Sequence, residues 1–267
     1  MNMCVVETIF NNLIGEKMLA NPTIDKLNAM RFLGMAKAYQ EQNLQTDIDD
    51  LDFNARFALL VDREMLDREN RRLKTRLRKA KLRQTAAMED IDYKQPRGLD
   101  KSLLLKLADC RWVKEHHNIL IVGSTGTGKT YLACALAHKA CLQGFSSHYV
   151  RVPRLLPELN IARGDGSFSK RINELAKIDV LILDDWGLIT LVAEHRRDLL
   201  EILDDRHGRK STIVTSQLPI KLWHEIINDS TLADAILDRL IHNAYRLELK
   251  GDSMRKIKFN LTNGGDK

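Results

Sequence analysis

The sequence predicts an α/β protein: a parallel five-stranded sheet around a phosphate-binding loop, preceded by a small all-α N-terminal domain. Three observations carry this. Short apolar runs, "NILIVG", "SHYVRV", "DVLILDD", "STIVTS" and "YRLEL", alternate with helix-like stretches in the later part of the chain, as strands buried on both faces do. The phosphate-loop pattern "GSTGTGKT" follows directly on the first of them. From Asn21 to about Gln84 the residues suggest helices only.

A chain of 267 residues can bury one substantial core and a smaller unit beside it. The expected division is a helical, basic domain over 1–95 and a nucleotide-binding domain over 96–267. With 44% hydrophobic and 29% charged residues, the composition is that of a globular protein. The net charge of +6 and a pI near 9.1 favour an anionic partner. No segment approaches the roughly 18 consecutive apolar residues of a membrane helix. The N-terminus lacks both the basic start and the small-residue cleavage site of a signal peptide, so a cytoplasmic protein with no membrane contact is expected. Cys4, Cys110, Cys134 and Cys141 form no C-x-x-C pair and no cluster with histidine, which points to reduced, mostly buried thiols rather than zinc or disulfides.

The first helix is expected at "NPTIDKLNAMRFLGMAKAYQEQ", capped by Asn21 with Pro22 in its first turn. A second begins near Phe53, where Leu59, Leu66, Leu73 and Ala80 recur every seven residues and Leu77 joins them, drawing one narrow apolar stripe. "YKQPRGLDKS" is a Pro-Gly break that fits a linker. After the first strand, helices are expected from Lys129 to Leu142, from Pro153 to Lys177 with an interruption at "RGDGS", over "AEHRRDLLEILDDRH", and over 221–243.

"GSTGTGKT" fits G-x-x-x-x-G-K-[ST] between a strand and a helix, the setting the motif requires. Gly123, Ser124, Thr125, Gly126, Thr127 and Gly128 curl the backbone so that successive N–H groups face a β-phosphate at a helix N-terminus. Lys129 reaches the β/γ-phosphates, Thr130 ligates Mg²⁺, and Tyr131 completes the nucleotide-binding set. In "VLILDDWG" two carboxylates stand at the carboxyl end of a buried strand, where α/β sheets bind ligands. Asp184 is the natural Mg²⁺ partner and Asp185 the candidate base that orients an attacking water. ATP and Mg²⁺ are therefore the expected cofactors.

The phosphate loop, the paired acids, the polar strand end "IVTSQLP", then "DRL" and "GDSMR" in that order, resemble the AAA+ ATPases of the initiator and helicase-loader clade, related to DnaC and DnaA. The likeness is nearest to the IstB-like transposition helper ATPases. It extends to "LVDREMLDRENRRLKTRLRKAKLR" and "DIDYKQPRGLD", so it covers nearly the whole chain. The resemblance implies an AAA+ core with a sensor 1 residue among Thr215, Ser216 and Gln217, with Ser216 the candidate. It also implies an arginine finger at Arg239, acting on a neighbouring subunit of a homo-oligomer, and a sensor 2 arginine at Arg255. The larger relatives carry a helical lid; about a dozen residues follow Arg255, so no C-terminal lid is expected. Where many AAA+ proteins have Asp-Glu this chain has Asp184-Asp185, and the shorter second side chain implies slow hydrolysis.

Residues 71–83, "RRLKTRLRKAKLR", hold eight cations and no acid. They lack the i, i+4 partners a merely solvated helix gains from, and phosphates supply the missing counter-charge. Arg71, Arg72, Lys74, Arg76, Arg78 and Lys79 are the expected DNA contacts. Arg151, Arg154, Arg163 and Lys170, around a glycine-rich break, form a second candidate surface. Without aromatic residues in the run, duplex backbone is a better fit than stacked single strands. The expected function is thus an ATP-dependent DNA-binding protein that assembles on duplex DNA and assists an IstA-like transposase by preparing target DNA. Two alternatives stay open: a DnaC-like helicase loader whose N-terminal part binds protein, and a nucleotide-switched DNA-binding protein with little turnover.

Overall fold

The computed structural model describes residues 21–45, 48 and 50–254. Cys4 and Arg255 lie outside the described residues. The chain divides into two compact units, one up to Lys74 and the other from Thr75.

In the first unit, the Asn21 side chain accepts from the Thr23 N–H and Pro22 opens α1 (Pro22–Ala29), as expected of a capped start. Helix α2 (Leu33–Gln42) has no side-chain cap of its own. Its free N–H groups at Gly34 and Met35 instead donate to the buried Glu64 carboxylate, at 2.7 and 3.1 Å. Glu64 belongs to the long helix α3 (Phe53–Ala80). A side chain at Gly34 would press on the Arg63 carbonyl and the Asp67 Cβ, each 2.8 Å from a built Cβ, so glycine permits the close helix crossing. Arg68 and Arg71 close on the same carboxylate at 2.6 and 3.3 Å. Burial alone would raise the Glu64 carboxyl, but Arg68 and the two N–H groups outweigh it and hold it below its ordinary value.

The seven-residue stripe on α3 is only partly used. Leu59 and Leu66 are 48% and 56% exposed, Leu73 and Leu77 are half-buried, and Ala80 is buried. The first unit instead turns Leu60, Arg63, Glu64 and Asp67 inward. The polar contact to Gly34 sets that face, and hydrophobic periodicity carries no trace of it.

The second unit opens with the last turns of α3 and continues through α4 (Lys101–Ala108) and α5 (Arg111–Lys114), two helices that the linker reading passed over. Asp100 caps α4 by accepting from the Leu103 N–H at 3.1 Å. The sheet follows: β1 (Asn118–Gly123), β2 (Ser147–Arg151), β3 (Val180–Trp186), β4 (Ser211–Ser216) and β5 (Ala244–Leu249). All five are parallel and ordered β2-β3-β4-β1-β5. Along β1 the side chains alternate: Ile119 and Ile121 enter one core layer, Leu120 and Val122 the other. A sheet covered on both faces thus turns period-two geometry into an uninterrupted apolar run.

Helix α6 (Lys129–Leu142) fills the first layer with Leu132, Leu136 and a series of alanines. The second layer is covered by α7 (Val152–Gly164), α8 (Phe168–Lys177) and α9 (Ala193–Arg206), then by α10 (Trp223–Ile227) and α11 (Ser230–Ile241). The helical stretch expected over 221–243 is broken because Asn228 turns left-handed at φ 52° and Asp229 caps a fresh helix. Cys110, Cys134 and Cys141 are buried free thiols. No helix among the described residues is long and apolar enough to cross a membrane.

Candidate nucleotide site

Strand β1 delivers the chain into the phosphate loop at the carboxyl edge of the sheet. A Cβ on Gly123 would collide with the Leu249 carbonyl of β5, and one on Gly126 with the Ser253 hydroxyl. Both residues also have positive φ, 152° and 87°. The loop therefore closes only with glycine at these points. Lys129 Nζ lies across its mouth, donating to the carbonyls of Gly123 (2.7 Å) and Ser124 (2.8 Å). Thr127 Oγ1 donates to the same Ser124 carbonyl at 2.8 Å. Lys129 opens α6 behind Gly128, so the helix N-terminus, with its positive end of the dipole, stands at the loop.

Neighbouring segments fix the loop from outside. Arg97 donates to the Thr127 carbonyl at 3.2 Å and to the Asp92 carbonyl at 2.6 Å. Past β5 the chain returns, and the Met254 N–H donates to the Gly126 carbonyl at 2.9 Å. Beside the loop opens a cleft of about 330 Å³ whose apolar wall is Ile91, Leu99, Tyr131, Leu132 and Leu249, a fitting lining for a planar base.

The acidic half of the site depends on an irregularity. The pairing of β3 with β4 shifts register between Leu183 and Trp186, and Asp185 sits at φ 63°. A regular strand would send successive carboxylates to opposite faces. This bulge brings both within reach of one guanidinium, with Arg83 NH1 3.4 Å from Asp184 and 4.0 Å from Asp185. Left-handed backbone at a non-glycine residue costs about 1–3 kcal/mol and concentrates at functional sites.

Asp184 is fully buried. It accepts from Thr130 Oγ1 at 3.0 Å, from the Tyr149 hydroxyl at 2.6 Å and from Thr215 Oγ1. Burial, and then the adjoining Asp184 carboxylate, push the Tyr149 phenol upward, so it remains a donor. Asp185 accepts from Arg151 Nε at 2.7 Å, and its own N–H donates to Thr215 Oγ1 at 3.3 Å. A hydroxyl and a carboxylate side by side at the loop form the hard-oxygen donor set that Mg²⁺ prefers. Thr130 and Asp184 therefore fit the cation, and the glycine-walled cradle fits a phosphate.

At the end of β4, Thr215 touches both acids. Ser216 points to the other face, donating to the Trp186 carbonyl at 2.8 Å and accepting from the Leu218 N–H at 3.1 Å. Gln217 accepts from Thr125 Oγ1 at 2.6 Å. Arg239 lies far from this cluster: its carbonyl accepts from Asn118 Nδ2 at 2.9 Å, at the opposite end of β1. Six strand residues separate the ends by about 17–20 Å. Its guanidinium holds Asp204 at 2.7 Å and the Ala235 carbonyl at 2.9 Å. Arg239 cannot serve the phosphate loop of its own chain.

The cations divide into held and exposed. Arg71 is drawn to Glu64, Arg76 Nε donates to the Cys141 carbonyl at 3.1 Å, and Arg163 pairs with Asp198 and Glu194 while stacking 3.7 Å from the Phe168 centroid. Arg72, Lys74, Arg78, Lys79, Arg154 and Lys170 are exposed, with no ion-pair partner among the described residues. Arg163 was grouped with the outward-facing cations because Asp198, 35 residues on, is brought to it only by the packing of α9 against α7. Sequence reasoning also missed Arg83, Tyr149 and Arg151 on the acids. The signal for Tyr149 and Arg151, polar residues on β2 beside β3, needs the strand order to be read, and that for Arg83 needs the path of the chain after α3.

A phosphate loop after β1, acids ending β3 and a hydroxyl ending the intervening β4, on a sheet ordered β2-β3-β4-β1-β5, define a P-loop nucleotide-binding protein of the AAA+ kind. Solved structures agree. DnaI is 27% identical with a TM-score of 0.54, covering 63% of this chain and 92% of that one. The DnaC helicase loader is 22% identical with a TM-score of 0.51, covering 62% and 97%. Within this class, the model of the IstB-like ATP binding protein family matches residues 25–261, and the chain belongs to that family. It is 52% identical over 239 residues to an insertion sequence ATP-binding protein of Sinorhizobium fredii, covering 90% of this chain and 98% of that relative.

Proposed function

We propose that the protein is a Mg²⁺-dependent ATPase of the cytoplasm that assembles on duplex DNA and assists the transposase of an insertion sequence. The convergence of Thr130, Asp184 and Thr215 from the ends of three elements carries this reading. Backbone N–H groups and Lys129 bind the phosphates, once Lys129 has exchanged the Gly123 and Ser124 carbonyls for phosphate oxygens. Thr130 and Asp184 would hold Mg²⁺, which would supply positive charge to the phosphates. Asp185 accepts the proton of the attacking water after leaving Arg151. Thr215, rather than Ser216, is the residue that orients both acids.

Arg239, remote from its own site, supplies the guanidinium to a neighbouring subunit, so hydrolysis reports on assembly. The resemblance carried by "GDSMR" supports a sensor 2 role for Arg255, in its own site or a neighbouring subunit's. Arg72, Lys74, Arg78 and Lys79 are the duplex contacts offered by the helical, basic part expected over 1–95, and Arg154 and Lys170 offer a second surface. Arg71, Arg76 and Arg163 have protein partners and contribute less. The relatives' description as insertion sequence ATP-binding proteins supports a transposase as the partner.

Light scattering of the protein with duplex DNA, with and without ATP, tests the reading. ATP-dependent assembly by the parent and none by Lys129→Ala is the expected result. A Lys129→Ala variant that assembles with ATP as the parent does would overturn it.

A further inference from the structure

The basic run 71–83 ends on a residue whose guanidinium, though partly exposed, is paired with the acids of the site. From Arg76 onward the chain stays close to α6 and β2. Arg76 bonds the Cys141 carbonyl at the far end of α6, the Lys79 carbonyl meets His148 Nδ1 at 3.1 Å, and Ala80 is fully buried. This anchored path delivers Arg83 to the acids, where its guanidinium lies 3.4 Å from Asp184 Oδ2 and 4.0 Å from Asp185 Oδ2, against the Tyr149 hydroxyl.

Both oxygens of Asp184 are consequently occupied. Oδ1 receives Thr130 and Thr215, and Oδ2 receives Tyr149 and Arg83, with Thr130 Oγ1 also 3.2 Å from Oδ2. A divalent cation needs one of these places. Thr215 is fully buried and Tyr149 half-buried, whereas the Arg83 side chain is 43% exposed and makes the longest of these contacts. It also carries the positive charge that a buried carboxylate requires when no metal is present.

We propose that Arg83 is the resident counter-ion of the metal site. It neutralises Asp184 in the nucleotide-free protein and must yield its place when Mg²⁺ enters with nucleotide, so the last residue of the basic run competes directly with the metal. The inference rests on the reading of Thr130 and Asp184 as metal ligands given above. Because a guanidinium and a dication exclude one another at one carboxylate oxygen, removing the guanidinium shifts the metal equilibrium whether or not hydrolysis follows.

Binding of the fluorescent nucleotide mant-ADP across a Mg²⁺ series tests it without any turnover. In Arg83→Gln the half-saturating Mg²⁺ concentration falls about three- to tenfold. Arg83→Lys, which keeps the charge, stays within about twofold of the parent. So does Arg76→Gln, which removes an equal charge at the other end of α6, about 18 Å along the helix. A parent and Arg83→Gln with the same Mg²⁺ dependence overturn the proposal and leave the nucleotide site standing. Equal gains in Arg83→Gln and Arg76→Gln also overturn it, because they make the effect one of net charge. Nucleotide binding that ignores Mg²⁺ in the parent overturns both this inference and the metal-ligand reading beneath it.

Discussion

Thr215 and Ser216 are adjacent buried hydroxyls at the end of one strand, and exchanging each for a residue without the hydroxyl separates their roles. Thr215→Val keeps the shape while removing the donor to Asp184 and the acceptor for the Asp185 N–H. A hydrogen bond to a charged group contributes about 1.5–3 kcal/mol. At about 2–4 °C per kcal/mol for a domain of this size, the melting temperature falls by about 3–12 °C. If the same interaction orients the acids in the transition state, hydrolysis falls about ten- to hundredfold at 1.4 kcal/mol per decade. Ser216→Ala breaks only the contacts to Trp186 and Leu218. It costs about 1 kcal/mol of stability and leaves hydrolysis within about threefold of the parent. Phosphate release at saturating Mg·ATP, beside a circular-dichroism melt, measures both. The reasoning is refuted if Ser216→Ala loses more hydrolysis than Thr215→Val, or if Thr215→Val behaves as the parent.

Arg206, 1% exposed, donates to the carbonyls of Leu175, Ile178 and Ser211 and to Thr212 Oγ1. Arg206→Met leaves these acceptors unpaired and costs at least about 3 kcal/mol in urea denaturation, while Arg206→Lys restores part. Burial holds His148 below its ordinary value near 6.5, against the pull of the Lys79 carbonyl. Since the unfolded chain takes up that proton first, stability from this residue is complete above pH 6.5 and declines as the pH falls below it. The urea midpoint therefore drops between pH 7 and pH 5.5 by more in the parent than in His148→Gln. For duplex binding, replacing Arg72, Lys74, Arg78 and Lys79 together by alanine flattens the slope of log K against log salt by about 3–4. Arg163→Ala leaves that slope unchanged and lowers the melting temperature.

Much of the core was legible because its signals are local. "NILIVG" and "STIVTS" are continuous apolar runs flanked by turn residues, and the observed strands Asn118–Gly123 and Ser211–Ser216 coincide with them. The phosphate loop carries its own glycines. The choice between Thr215 and Ser216 was not legible: strand alternation puts them on opposite faces, and only the pairing of Ile121 with Thr215 and of β3 with β4 shows which face meets the acids. Nor does anything in "LDDWG" announce that Asp185 is left-handed. Glu64 read as one acid among many on a charged helix, although it caps α2 across the Gly34 crossing. Arg83 stands in the sequence only as the last cation of the basic run, because its destination is set by the path of 81–86 over α6, a tertiary fact.

The claim that the ATP site is completed by a second subunit is tested most directly by mixing two inactive variants. Asp184→Asn disables its own site but still offers Arg239, and Arg239→Ala keeps an intact site but offers no guanidinium. In a one-to-one mixture with duplex DNA, about a quarter of the interfaces join a working site to a working arginine. Phosphate release should therefore recover to about a quarter of the parent rate. A mixture that stays as inactive as either variant alone, or an Arg239→Ala protein that hydrolyses ATP like the parent, would contradict it.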